Sequence, residues 1–378
     1  MPDQADRIYM KRALRLAGRG RGKTAPNPMV GAVVVKSGRI VGEGSHPGPG
    51  LPHAEALALA QAGEKAKGAT LYINLEPCCH TEKRTPPCTE AILRAGIRRV
   101  VAAMADPNPM VSGNGFKILQ KKGVEVTEGL LQEEAAQLNE IFIKYITTQR
   151  PFVILKSAMT LDGRIAAPNG QSRWITGETA RREVHRLRSE VDAVLVGIGT
   201  VLADDPMLTA RRGGERGKMS NPIRIAIDPH LKIPLKARLA TSISEAPTWV
   251  ITTSDASSTK IGRLEKQGVR IEILPQTRGE IALGLLFERL GKAGVTSLLI
   301  EGGGIVNGIA LRAGEVDKVI LYLAPKLLCG ENAKSAVAGP AFASLDTALL
   351  LERMTVRKIG DDLRVEGYPK KISSGGTA

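Results

Sequence analysis

The chain has 378 residues, 43% hydrophobic and 24% charged, an ordinary globular composition with room for two domains. Its longest run without a charge or a strongly polar residue other than threonine, about residues 193–203, falls far short of the ~20 apolar residues a membrane helix needs, so a membrane partner is not expected. The formal charge of +15 is spread, with 20 Lys/Arg against 14 Asp/Glu up to residue 148 and 33 against 24 beyond it; anionic ligands suit such a field, while only 12 aromatic residues (5 Phe, 2 Trp, 5 Tyr) disfavour a nucleic-acid partner.

In chain order, Ala5–Ala17 reads as an amphipathic helix with no apolar signal core, which places the protein in the cytoplasm. Met29–Val35 and Ile40–Glu43 read as two strands joined at Ser37-Gly38. After a Gly/Pro loop at residues 45–50, Pro52-His53 opens an alanine-rich helix ending near Gly63. A strand follows at Ala69–Leu75, a helix at Thr89–Ala95 closed by Gly96, and a strand at Arg99–Met104. Asn114–Lys122 is then expected to be helical, and Gly123–Thr127 a short strand. A composition break near Tyr145–Arg150 divides the chain into domains 1–148 and 149–378. The second part alternates again: strands at 152–157, 193–197, 223–227, 247–252, 296–300 and 317–323, and helices at 178–189, 281–291 and 305–313. Both parts are therefore α/β, the second with a largely parallel sheet.

Three of the four cysteines, Cys78, Cys79 and Cys88, lie within eleven residues. In a reducing cytosol such a cluster is more often a metal site than a disulfide. His53, Cys78 and Cys88 supply one imidazole and two thiolates, a set that balances zinc's charge and leaves one coordination position for water. His53 and Cys88 each stand where a helix begins, and a helix N-terminus favours the thiolate. Glu55, two residues past His53, is placed to carry a proton beside the open position without being a ligand. His-x-Glu followed by Pro-Cys and a second Cys is the zinc deaminase pattern, although the usual Pro-Cys-x-x-Cys spacing is stretched here. Cys79 and His80 are adjacent rivals as ligands; neighbours at a helix start point apart, which disfavours Cys79, and His80 is kept for the substrate. On these residues alone, a zinc nucleic-acid deaminase with an accessory nucleotide-binding domain is the alternative.

Asn27-Pro-x-Val-Gly, His53-Ala-Glu, Glu76-Pro-Cys-Cys-His and Arg84-Thr-Pro-Pro-Cys resemble the deaminase domain of the bifunctional deaminase/reductases of riboflavin biosynthesis. The loop between the two cysteines is one residue longer than in that family, and Cys79 stands where serine is common. The resemblance spans nearly the whole chain. It implies a cytidine-deaminase-like three-layer α/β/α domain that hydrolytically deaminates 2,5-diamino-6-(5-phosphoribosylamino)pyrimidin-4-one with zinc-activated water. Asn27, His46, His80, Lys83 and Arg84 are then expected around the substrate.

In the second part, Lys156-Ser-Ala-Met-Thr-Leu-Asp-Gly-Arg follows a strand, Gly197-Ile-Gly precedes Thr200 and Asp204, and Glu301 leads into Gly302-Gly-Gly304 and a helix. A strand, a glycine run and a helix form an anion cradle, although neither run fits Gly-x-Gly-x-x-Gly. These segments resemble the family's reductase domain, which is similar to dihydrofolate reductase in fold and uses NADPH. The resemblance places Ala158, Trp174, Thr200, Asp204 and the run Gly303, Gly304, Ile305, Val306, Asn307, Gly308 and Ile309 at the cofactor. It places Lys156, Ser172, Arg188, Leu208, Arg211 and Glu301 at the substrate, where Arg188 and Arg211 suit a phosphate. The implied reaction reduces the ribosyl group to a ribityl chain, with Asp204 or Glu301 as the group that handles protons. A homo-oligomer, dimer or higher, is also implied.

Overall fold

The computed structural model describes residues 4–79, 86–109, 111–210, 221–277 and 279–370. The chain divides into two compact units, residues 1–149 and 150–378.

The first unit runs α1 (Gln4–Ala17), β1 (Gly31–Lys36), β2 (Arg39–Ser45), α2 (Ala54–Ala62), β3 (Thr70–Ile73), α3 (Cys88–Arg94), β4 (Arg99–Ala102), α4 (Asn114–Lys121), β5 (Glu125–Thr127), α5 (Gln132–Leu138) and α6 (Glu140–Thr148). Its sheet has the order β2-β1-β3-β4-β5. β1 is antiparallel to β2 and β3, and β3, β4 and β5 are mutually parallel. Alternation along the strands makes the three layers. Val33 and Val35 of β1 pack with Met10, Ala13 and Leu16 of α1 on one face. Ala32 and Val34 pack with Ala54 and Ala58 of α2, Ile92 of α3, and Phe116 and Leu119 of α4 on the other. Small residues bring α2 close to the sheet: a Cβ at Gly42 or Gly44 of β2 would collide with the carbonyl oxygen of Ala58 or Ala54.

The second unit runs β6 (Phe152–Thr160), β7 (Arg164–Ala166), α7 (Glu178–Glu190), β8 (Ala193–Gly197), α8 (Ile198–Asp204), β9 (Ile223–Ile227), α9 (Arg238–Thr241), β10 (Thr248–Thr252), α10 (Ser258–Lys266), β11 (Arg270–Ile273), β12 (Gln276–Thr277), β13 (Glu280–Ile281), α11 (Leu283–Lys292), β14 (Ser297–Ile300), α12 (Gly304–Arg312), β15 (Lys318–Ala324), β16 (Lys334–Ser335), β17 (Leu351–Ile359) and β18 (Asp362–Pro369). The main sheet has the order β11-β10-β9-β8-β14-β6-β15-β18-β17. It is parallel from β11 to β15, after which β18 and β17 add antiparallel. Val153, Leu155, Leu195, Ile225, Ile251, Leu298 and Ile300 bury one face against Leu286, Phe287 and Leu290 of α11. The parallel strands read as near-continuous apolar runs because both their faces are covered. β17, which the sequence reading did not anticipate any more than β18, is the opposite case. β17 is exposed along most of its length and carries Glu352, Arg353, Arg357 and Lys358.

Candidate active sites

In the first unit, His53 caps α2 in an extended backbone conformation, Cys88 is the first residue of α3, and Cys78 lies on the loop leaving β3. The ligand atoms of these three residues all lie within 4.8 Å of one another. His53 Nδ1 stands 3.2 Å from Cys88 Sγ and 3.6 Å from Cys78 Sγ. The Cys88 backbone N–H donates to Cys78 Sγ over 3.4 Å, as expected of a helix start that favours a thiolate. Cys79 is outside the cluster.

Glu55, in the first turn of α2, is only 3% exposed, and its Oε2 has no hydrogen-bond partner among the described residues. Burial, and then the neighbouring Cys78, pushes its carboxyl above the usual carboxylate range. Cys88 is likewise pushed up, by its hydrogen bond with Cys78 and by burial. The Cys88 thiol and the Glu55 carboxyl, buried side by side, resist ionisation until a cation joins them. An imidazole, two sulfurs and an orphaned carboxylate oxygen therefore fit zinc with one position left open.

The surrounding loop is tied from several sides. Asn139 accepts from the Met29 N–H and donates to the Met29 carbonyl, and Asn74 donates to the same carbonyl while accepting from the Gly31 N–H. This holds the segment carrying Asn27. His46, expected at the substrate, is buried, 4% exposed. Its Nδ1 donates to the Pro52 carbonyl over 3.2 Å, so its Nε2 accepts from the Asn27 amide, 3.1 Å away. Its ring meets His53 edge-on at 5.3 Å between centroids. In this arrangement His46 props the turn that presents His53. His80, Lys83 and Arg84 lie outside the described residues.

In the second unit, a cavity of about 300 Å³ opens at the carboxyl ends of β6, β8 and β14, the place where open α/β sheets bind ligands. Of the expected residues, Lys156, Ala158, Ser172, Trp174, Arg188, Thr200, Asp204, Leu208, Glu301 and Gly303 line it. Arg211 lies outside the described residues. The run 303–309 separates. Gly303 lines the cavity, and Ile305 is exposed on the surface. Val306 and Ile309 pack into the core, and Gly304 and Gly308 abut the backbone of Ser335 and Ala338. Consecutive residues of a helix point all round its axis, so such a run cannot face one ligand through its side chains. Its first-turn N–H groups can. A Cβ at Gly303 would meet nothing nearer than Thr200 Oγ1 at 3.7 Å, which leaves this turn open to an approaching phosphate.

The floor of the cavity is an ion triad. Arg188 donates from Nε to Glu301 Oε1 over 2.6 Å and from Nη2 to Oε2 over 3.0 Å, and Lys156 Nζ donates to Oε2 over 3.2 Å. A further N–H of Arg188 holds the Thr209 carbonyl at 3.2 Å. Burial opposes the charge on Glu301, but Arg188 and Lys156 outweigh it and hold the carboxyl down at about 2. Glu301 is thus a fixed anion and an acceptor only. Asp204 accepts from Ser172 Oγ over 3.3 Å, and its backbone carbonyl accepts from Arg173. At the rim Trp174 is 63% exposed, with the Arg181 guanidinium 4.4 Å from its ring centroid. Lys326 Nζ donates to the carbonyls of Trp174 and Ile175, both at 2.8 Å.

Sequence reasoning passed over Arg181 and His185, which line the same cavity. Their signal was present: 181, 184, 185 and 188 share one face of a helix.

Residues 3–104 match the family model described as the cytidine and deoxycytidylate deaminase zinc-binding region, and residues 151–365 match the RibD C-terminal domain. The chain is 45% identical over 360 residues to the riboflavin biosynthesis protein RibD of Aquifex aeolicus, covering 95% of this chain and 97% of that one. To RibD of Escherichia coli it is 44% identical over 367 residues, covering 95% and 98%. Among solved structures, Acinetobacter baumannii RibD superposes with a TM-score of 0.86 at 38% identity, covering 97% of this chain and 99% of that one. The Thermotoga maritima diaminohydroxyphosphoribosylaminopyrimidine deaminase/5-amino-6-(5-phosphoribosylamino)uracil reductase superposes with a TM-score of 0.82 at 37% identity, covering 97% and 99%.

Proposed function

The chain belongs to the RibD family, and on that premise we propose how its two sites divide the family's two reactions. It is a bifunctional enzyme of riboflavin biosynthesis, a zinc-dependent deaminase followed by a reductase. The proposed substrate is a 2,5-diamino-6-(5-phosphoribosylamino)pyrimidin-4-one, in keeping with the name of the Thermotoga relative.

In the first unit His53, Cys78 and Cys88 would hold zinc, which when bound supplies a Lewis-acidic centre that acidifies a coordinated water. Glu55 takes a proton at Oε2, the oxygen that the fold leaves unengaged, and returns it to the departing amine. Its raised proton affinity suits both halves of that task. Burial of the site keeps bulk water from competing for the same proton. His46 and Asn27 hold the His53 turn from behind.

In the second unit the residues fit a nicotinamide dinucleotide at the open Gly303 turn and Trp174, with NADPH the form the family uses. When bound, it supplies a hydride to the sugar carbon. Lys156 and Arg188, fixed by Glu301, face the cavity as the groups that position the phosphorylated ribosyl chain. Arg188 spends its bidentate face on Glu301, so phosphate contact falls to its remaining N–H groups. Glu301 is held ionised and so serves there as an acceptor, while Asp204 is the other carboxylate that lines the cavity. The same reading places the enzyme in the cytoplasm as a homo-oligomer, with small molecules and not nucleic acid as its ligands. No helix among the described residues is long and apolar enough to cross a membrane.

The observation that carries this reading is the buried His53–Cys78–Cys88 cluster with the orphaned Glu55 oxygen beside it. The test is incubation with the diaminopyrimidinone phosphoriboside, with and without NADPH. Ammonia should appear without NADPH, and cofactor oxidation should follow only after deamination. Cofactor oxidation with no ammonia would sink the assignment of the first unit.

A further inference from the structure

We infer that Glu76 is a positioning residue for the metal-binding Cys78, acting by clasping the start of α4 and so fixing the Pro77–Cys78 turn. This rests on the zinc reading above and extends it to a residue outside the donor set. Glu76 stands in the Glu-Pro-Cys motif, yet it points away from the metal cluster in its bonding. It leaves β3 three residues after Ile73 and is 3% exposed.

Its carboxylate is saturated by backbone amides. Oε2 accepts from the N–H groups of Asp106 at 3.0 Å and Gly113 at 2.8 Å. Oε1 accepts from those of Gly115 at 2.8 Å and Phe116 at 3.3 Å. Four donors on two oxygens use the whole acceptor capacity of a carboxylate. Gly115 and Phe116 are first-turn residues of α4, whose amides have no partner within the helix, and Gly113 at the cap position offers no side chain to them. A negative charge here also meets the positive end of the helix.

The clasp reaches the metal site through one residue. A Cβ at Gly115 would collide with the Pro77 carbonyl, so α4 begins directly against the peptide joining Pro77 to Cys78. On the other side, the Cys78 carbonyl accepts from Thr89 N–H and its sulfur from Cys88 N–H. Cys78 is thus held between two helix starts, α4 through Glu76 and α3 through its own atoms. A carboxylate serves where other caps would not, because it alone offers four acceptor sites on one side chain. Glutamine keeps one acceptor oxygen and turns an NH2 group onto two backbone N–H groups.

The test is zinc release from the zinc-loaded, full-length Glu76→Gln protein into a chromophoric chelator, well below the unfolding transition followed by circular dichroism. Release should be about tenfold faster than in the parent, the scale on which outer partners of metal ligands act. NADPH oxidation by the second unit should be unchanged. Release at the parent rate from a folded Glu76→Gln protein overturns the inference and reduces Glu76 to a helix cap. Should Glu76→Gln not fold, Gly115→Ala decides: its Cβ would collide with the Pro77 carbonyl and press on the Glu76 carboxylate, 3.1 Å from Oε1, so faster release is expected, and the parent rate overturns the proposal. A parent that retains no zinc overturns the zinc reading itself, a failure separate from any difference between variant and parent.

Discussion

Two carboxylates, each buried in its own site, are driven in opposite directions by their neighbours. Glu55 has thiols beside it and one unpartnered oxygen, so burial raises its proton affinity. Glu301 has Arg188 and Lys156, and their charges overcome the same burial. Glu55→Gln should retain zinc by metal analysis and lower ammonia release by about 100- to 10,000-fold, the usual contribution of a positioned acid–base group. Ammonia release near the parent rate would remove Glu55 from the mechanism. For Glu301 the sign is that of a depressed carboxyl. Its contribution to stability is complete above its ordinary value of 4.5 and is lost as the pH falls from there through about 2. Glu301→Gln should therefore flatten the acid limb of the second unit's unfolding curve, and an unchanged limb would contradict the triad. Arg188→Ala leaves Glu301 buried with Lys156 alone; a loss of about 3 kcal/mol of stability is expected, at the lower end for a broken buried pair.

Among the elements, α2 shows how backbone proximity makes a site. Its alanines and the glycines of β2 let the helix lie against the sheet, which delivers His53 and Glu55 to the end of β3. Gly44→Ala should destabilise the first unit by about 1–3 kcal/mol through overpacking and lower its zinc content. Equal zinc and an equal melting curve would show that the approach is not needed. Several elements were legible: α1 from its amphipathic pattern, and α2, β6, β8, β14 and α12 from apolar or alanine-rich runs bounded by glycine, proline or polar residues. α5 and α6 were not anticipated. Within α6, Phe142 and Ile143 pack onto the core beside α1, but no residue of the helix is fully buried. β17 escaped for a related reason, since an edge strand exposed on both faces has no alternation to read. On α7, Arg181, His185 and Arg188 turn toward the cavity and Arg182 and Arg186 toward solvent.

At the scale of the molecule, each unit carries its own sheet, core and site. Lesions should therefore separate. Glu55→Gln should leave reduction of supplied deaminated substrate intact, and Arg188→Ala should leave ammonia release intact; loss of both activities from either change would argue against independent sites. The residues of the His53–Cys78–Cys88 cluster, Glu55 and the glycine turn before α12 were the positions that the chain alone singled out, because metal and phosphate chemistry demand particular residue types at helix starts. The sequence also sufficed for the α/β class of both units, since apolar patterning is a local property. Only the tertiary structure decided what each polar group is spent on. It turned His46 and Asn27 toward each other, gave the bidentate face of Arg188 to Glu301 and joined Glu76 to the start of α4. The physical reason is that a hydrogen bond depends on distance and direction between groups remote along the chain, and no local pattern encodes either.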